Sequence, residues 1–226
     1  MPLTVAVLTE QAEGERRVAL DPANAKKLIA KGFRVLLQKN AGDAAGFPDT
    51  LYAGSELLED AAAILSQADV YLWVQAPDPQ RLSALREGAL AMGLVFAHRK
   101  TAVVGALNAR KASCCAMELV PRISRAQSMD VLSSQATVAG YEAVLRAASL
   151  APRLFPMLTT AAGTLRPSTV VVIGAGVAGL QAIATARRLG ARVEAYDISA
   201  AAREQVESLG AKMIDTGVNA QGEGGY

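Results

Sequence analysis

Thr169-Val170-Val171-Val172-Ile173-Gly174-Ala175-Gly176-Val177-Ala178-Gly179-Leu180 joins five β-favouring residues to the spacing G-x-G-x-x-G, and the next apolar run, Val193-Glu194-Ala195-Tyr196, ends on Asp197. A strand entering three glycines and leaving as a helix is the pattern of a phosphate-cradling turn. Gly174 permits the tight turn, Gly176 lets the backbone approach a pyrophosphate, and Gly179 lets the helix pack against the strand. The helix start, from Val177 and Ala178 onward, then offers unpaired N–H groups and the positive end of its dipole.

A lone G-x-G-x-x-G is weak evidence, because glycine turns also occur where only backbone freedom is needed. Here the flanks agree with the motif. The following stretch, 178–189, is rich in alanine and leucine and stops at Gly190, as a helix with a glycine C-cap does. Asp197 stands 23 positions after Gly174, near the spacing at which an acid accepts the hydroxyls of an adenosine ribose. A carboxylate there repels a 2′-phosphate, so the expected ligand is NAD(H) rather than NADP(H). A purely structural glycine turn is the alternative.

The rest of the chain limits the possibilities. Its 226 residues are 51% hydrophobic and only 4% aromatic, an alanine, valine and leucine composition that suits layered α/β packing. Lys+Arg of 23 against Asp+Glu of 21 gives a net charge of +2. That balance argues against a nucleic-acid platform, for which a basic stripe is expected. The two cysteines, Cys114 and Cys115, are adjacent, so they form neither a disulfide framework nor a metal set and read as reduced thiols. The amino end lacks the basic and apolar regions of a signal peptide, and no run is long and apolar enough to span a bilayer.

Strand-like and helix-like stretches alternate from the start. Strands are expected at 4–8, 34–38, 70–75, 90–96 and 113–118, with helices at 21–31, 61–67, 79–87 and 103–110 between them. Asp21 followed by Pro22 is a helix-start signature, and the alternation predicts a parallel sheet with right-handed crossovers. Pro121 then breaks the pattern before an alanine-rich helix, 134–150. The expected architecture is α/β, with two Rossmann-like doubly wound parallel-sheet domains joined by a long helix. The boundaries are 1–133 for the first domain, 134–152 for the connecting helix and 153–226 for the first half of the second. The loop 159–164 reads as a small-residue turn beside a cleft. Helix 200–209 and strand 212–215 follow Asp197. A full fold of this type uses six strands in the order 3-2-1-4-5-6, and three are visible here. The chain is therefore expected to belong to a longer protein, with the strand at 169–173 left as an apolar edge.

Met117-Glu118-Leu119-Val120-Pro121-Arg122-Ile123-Ser124-Arg125-Ala126-Gln127-Ser128-Met129-Asp130 resembles the NAD(H)-binding alpha subunit, or domain I, of proton-translocating NAD(P) transhydrogenases. The likeness continues through Leu132-Ser133-Ser134-Gln135, Ala139-Gly140-Tyr141, Thr160-Ala161-Ala162-Gly163-Thr164, the glycine motif and Gly224-Gly225-Tyr226. It covers essentially the whole chain. Glu15-Arg16-Arg17-Val18-Ala19-Leu20-Asp21-Pro22 is shared with the related alanine dehydrogenases and is less specific. The resemblance implies a homodimeric peripheral subunit on the cytoplasmic face of the inner membrane. It would dock on membrane-embedded subunits and their NADP(H)-binding component, and pass hydride from NADH to NADP⁺ in a reaction coupled to proton translocation. It also implies that Arg122, Gln127 and Asp130 position the nicotinamide, with Gln127 at the nicotinamide ribose. Ser133 and Tyr226 join Gly174, Gly176, Val177, Ala178, Gly179 and Asp197 in holding the nucleotide, Tyr226 from a closing loop.

The residues offer a chemical discrimination of their own. A dehydrogenase acting on an alcohol or amine must move a proton as well as a hydride, and so needs a placed acid or base. Exchange of hydride between two nicotinamides needs chiefly two oriented rings. The alanine dehydrogenase pattern has a lysine in a Lys-Val-Lys-Glu-Pro-like run, where this chain reads Trp73-Val74-Gln75-Ala76-Pro77. The single histidine, His98, reads as a loop residue at a strand end. Arg17 would hold a substrate carboxylate in such dehydrogenases, or else pairs with Glu13 or Glu15. Arg122 and Asp130 without the likeness could be an ordinary loop ion pair. An NAD-dependent amino-acid dehydrogenase and a truncated, non-catalytic remnant are the alternative readings.

Overall fold

In the computed structural model, which describes residues 2–199 and 201–217, the first aliphatic runs line up as one parallel sheet. Its strands are β1 (Thr4–Val7), β2 (Arg34–Gln38), β3 (Glu56–Leu58), β4 (Val70–Leu72), β5 (Leu90–Gly93) and β6 (Ser113–Ala116). They lie in the order β3-β2-β1-β4-β5-β6, and every neighbouring pair is parallel. This is the doubly wound order, with its change of direction between β1 and β4. All four residues of β1 are buried, as a strand with helices over both faces requires.

Alternate residues of the central strands feed different cores, since successive side chains leave opposite faces of a sheet. Ala6 and Leu36 pack with Ile64, Leu65, Tyr71, Leu82 and Leu85. Val7, Val35 and Leu37 pack with Leu20, Ala25 and Tyr52. The covering helices are α1 (Pro22–Ala30), α2 (Ala61–Ser66), α3 (Pro79–Leu82) and α4 (Thr101–Ala109). α1 begins on the expected signature: the Asp21 carboxylate accepts the Asn24 N–H at 3.0 Å, with Pro22 in the first turn.

Several expected strands end early, for a common reason. β4 stops at Leu72 because the N–H groups of Val74 and Gln75 donate to the Glu10 carboxylate, at 2.7 and 3.0 Å. β5 stops at Gly93 because those of Val95 and Phe96 donate to Glu118, at 3.1 and 2.6 Å. Side-chain carboxylates have replaced ladder partners at the carboxyl end of the sheet.

The chain divides into two units, Met1–Asp130 and Val131–Tyr226. The second contains α5 (Val131–Leu150), β7 (Leu158–Thr160), β8 (Gly163–Leu165), β9 (Thr169–Ile173), α6 (Val177–Arg188), β10 (Arg192–Tyr196), α7 (Ala202–Ser208) and β11 (Lys212–Met213). β11-β10-β9 form a parallel sheet, the 3-2-1 half of the same order. Among the described residues β9 pairs with β10 alone, and Ile173 at its end is 82% exposed. Val144, Phe155, Ile183, Val193 and Val206 share the core of this unit. The small-residue stretch before β9 is an antiparallel hairpin rather than a plain turn, with Leu158 opposite Leu165 and Thr159 opposite Thr164. Among the described residues no helix is long and apolar enough to cross a membrane.

Candidate functional site

The turn from β9 into α6 is shaped by its glycines from three directions. Gly174 adopts φ +92°, a left-handed conformation that a residue with a Cβ takes only at a cost. A Cβ on Gly179 would lie 1.8 Å from the Gly174 carbonyl oxygen, so the first turn of α6 can fold onto the strand end only with glycine there. Gly176, the N-cap of α6, is different: a Cβ on it would meet nothing within 4 Å. Its backbone borders open space. No side chain caps α6 and its first turn contains no acid. The N–H groups of Val177, Ala178 and Gly179 therefore stand at a dipole end suited to an anion.

Asp197, one residue past β10, is tied into this turn. Its Oδ2 accepts the Ala175 N–H at 2.6 Å and its Oδ1 accepts the Ser199 N–H at 2.8 Å. The Gly174 N–H donates to the Tyr196 carbonyl at 2.8 Å, so the two strand ends are joined through both backbone and side chain. A carboxylate oxygen has more than one lone pair, and Asp197 is only half-buried. It can accept further bonds from a polar ligand beside the glycine turn. Gly174, Gly176, Val177, Ala178, Gly179 and Asp197 are thus brought together in the second unit, and the space at Gly176 fits the approach of a phosphate to backbone.

The polar loop of the first unit is folded by itself. Ser124–Met129 forms a 3-10 helix with Asp130 as its C-cap, and buried Ala126 anchors it. The Ile123 N–H donates to the Pro121 carbonyl at 2.9 Å, the Ala126 N–H to Ile123 at 2.9 Å and the Asp130 N–H to Gln127 at 3.2 Å. Arg122 and Gln127 are exposed and Asp130 is half-buried. Ser133 belongs to the first turn of α5 in the second unit. Tyr226 lies outside the described residues.

At the carboxyl ends of β1 and β4, Arg17 forms a two-pronged pair with Glu15, through Nε at 2.7 Å and Nη2 at 2.5 Å. Of the two acids considered for it, Glu15 is the one engaged. The Gln75 amide also donates to Glu15, at 3.2 Å. The Arg17 guanidinium holds the Glu15 carboxyl down at about 2, while burial pushes the neighbouring Glu10 up despite its two N–H donors. His98 is exposed in the turn after β5.

Sequence reasoning passed over Glu10, Glu118 and Gly140. The two acids act on backbone far away in the chain, which leaves no local pattern. Gly140 stands on the same helical face as Val144 one turn on, and a small residue in a buried stripe was the available signal.

The chain matches the family model described as alanine dehydrogenase/PNT, N-terminal domain, over residues 6–139, and the corresponding C-terminal domain over 143–223. It is 49% identical over 219 residues to an NAD(P) transhydrogenase subunit alpha of Rhodospirillum rubrum, covering 94% of this chain and 57% of that protein. A crystal structure of transhydrogenase from Sinorhizobium meliloti superposes with a TM-score of 0.90 at 47% identity, over 94% of this chain and 64% of that one. A solved L-alanine dehydrogenase superposes with a TM-score of 0.82 at 24% identity, over 93% of this chain and 60% of that one, a likeness of fold alone. The chain thus spans little more than half the length of the Rhodospirillum relative.

Proposed function

The chain belongs to the alanine dehydrogenase/PNT family, and from that premise we propose that it is the NAD(H)-binding component of a proton-translocating transhydrogenase. On this reading it holds NADH for direct hydride transfer to NADP⁺ on a partner component. The observation that carries the proposal is the open N-terminus of α6 at Gly176, with the Asp197 carboxylate fixed beside it by the Ala175 and Ser199 N–H groups.

The backbone from Gly174 to Gly179 takes the pyrophosphate, and Asp197 takes the adenosine ribose hydroxyls while repelling a 2′-phosphate. Ser133 and Tyr226 complete the nucleotide contacts, and Arg122, Gln127 and Asp130 orient the nicotinamide end. Bound NADH supplies the hydride. The protein's role is orientation and exclusion of water, because no proton moves at the reacting carbons. The partners are a second copy of the chain and the membrane-embedded subunits with their NADP(H)-binding component, at the cytoplasmic face of the inner membrane. The sequence likeness to a transhydrogenase alpha subunit supports this assembly.

Calorimetric titration of the folded chain with NADH and NADPH tests the reading. NADH is expected to bind at least about tenfold more tightly, a difference of about 1.4 kcal/mol. Equal binding removes Asp197 from its role, and absence of heat with either nucleotide leaves the non-catalytic remnant.

A further inference from the structure

Gly140 lies on the buried face of α5. A Cβ built on it would stand 2.1 Å from the Ala178 carbonyl oxygen, 2.9 Å from its carbonyl carbon and 3.1 Å from its Cα. All three are backbone atoms, so no side chain can swing aside; one helix would have to move. Ala178 belongs to the first turn of α6, between Gly176 and Gly179. That turn is therefore gripped on two sides, by the Gly179 approach to the Gly174 carbonyl and by the Gly140 approach to the Ala178 carbonyl.

Glycine inside a helix weakens it relative to alanine, and α5 is otherwise well supplied with alanine. The contact with Ala178 is what glycine permits at position 140. Gly105 in α4 provides the contrast, since a Cβ there would meet nothing within 4 Å. Val144, one turn after Gly140, joins the core that contains Ile183 and Ala186 of α6, so the two helices stay packed beyond the crossing.

We propose that Gly140 is a positioning residue of the nucleotide site. It sets how closely α5 holds the first turn of α6, and through that turn where the N–H groups of Val177, Ala178 and Gly179 lie relative to a bound pyrophosphate. The inference rests on the glycine motif being the NAD(H) site. A Cβ at position 140 would displace this turn while leaving Asp197, on the other side of the motif, with its partners. Phosphate-dependent affinity should fall and ribose-dependent affinity should not.

Gly140→Ala is the direct test, with Gly105→Ala as the control. NADH binding is read by fluorescence titration, and ADP and adenosine serve as competitors. Adenosine offers the ribose hydroxyls without a phosphate, so general loosening of the fold would weaken it as much as ADP. In Gly140→Ala, NADH and ADP are expected to bind about tenfold more weakly and adenosine within about twofold of its former affinity, the pattern of a misplaced site. Gly105→Ala should change none of the three. NADH affinity unchanged in a folded Gly140→Ala protein overturns the proposal, as does an equal loss for ADP and adenosine. Should that variant not fold, hydrogen exchange on the unsubstituted chain decides. Saturating ADP should slow exchange at α5 residues 136–143 as well as at Val177 to Leu180, and slowing confined to α6 overturns the proposal. Failure of the unsubstituted chain to bind NADH or ADP overturns both this inference and the reading beneath it.

Discussion

At the scale of single residues, two carboxylates carry opposite kinds of consequence. Asp197 accepts one N–H on each oxygen, so it shapes the turn as well as facing a ligand. Asp197→Ala is expected to lower NADH affinity about tenfold, the loss of one hydrogen bond to a charged group. The decisive readout is selectivity: the NADH-to-NADPH ratio should shrink to within a few-fold, because the charge that repels a 2′-phosphate has gone. An unchanged ratio would remove Asp197 from cofactor choice. Glu15 is held near 2 by the Arg17 guanidinium. A carboxyl whose folded value is depressed contributes stability that is present above its unfolded value, about 4.3. That contribution is lost as pH falls from there toward the folded value of about 2. Glu15→Gln should therefore lower the thermal midpoint by a few degrees at pH 6, on the order of 1 kcal/mol for a partly exposed pair. The gap between the two proteins should close as the pH approaches 2. A gap that stays constant across that range would deny the ion pair its role.

At the scale of elements, the carboxylate ties at the ends of β4 and β5 belong to the sheet as much as its ladders do. Phe96 sits at φ +50°, uncommon for a residue with a bulky side chain, and the Glu118 carboxylate takes its N–H and that of Val95. Glu118→Ala leaves both donors without that acceptor. It is expected to destabilise the protein by about 2 kcal/mol, and Glu118→Gln, which keeps one acceptor oxygen, by less. Chemical denaturation measures both, and equal stability of all three proteins would show the tie to be incidental. These ties also explain what could and could not be read from the chain. The glycine turn, α1 with its Asp21 cap and the doubly wound alternation were legible, because each depends on residues close together in sequence. The strand ends were not, since Glu10 acts on backbone 64 residues away and Glu118 on backbone 23 residues away. β3 and the β7–β8 hairpin were also missed. Three residues are too few to express a period of two, and Thr159 and Thr164 carry no apolar alternation. At the candidate site the motif residues were visible, whereas Gly140 was not singled out, because its reason is a contact with the backbone of another helix.

At the scale of the whole molecule, the distribution of chemistry across the two units separates the remaining functions. The first sheet has the same strand order as a nucleotide-binding fold, but at its β1 and β4 ends Glu10, Glu15 and Arg17 engage one another and nearby backbone in place of an open glycine turn. An amino-acid dehydrogenase needs an acid or base near the substrate carbon and a cation for its carboxylate. Here Gln75 stands in the run where the alanine dehydrogenase pattern has a lysine, Arg17 is paired with Glu15, and His98, the only histidine of the chain, is exposed in a turn. Hydride exchange between two nicotinamides makes no such demand. His98→Ala is therefore expected to leave NADH-dependent reduction of an NADP⁺ analogue within about twofold, when either protein is combined with vesicles carrying the other transhydrogenase subunits. The same preparations should form no NADH from alanine and NAD⁺. A loss of about tenfold or more in the His98 variant would place a proton transfer in the reaction, and alanine-dependent NADH formation would move the chain from the transhydrogenases to the amino-acid dehydrogenases.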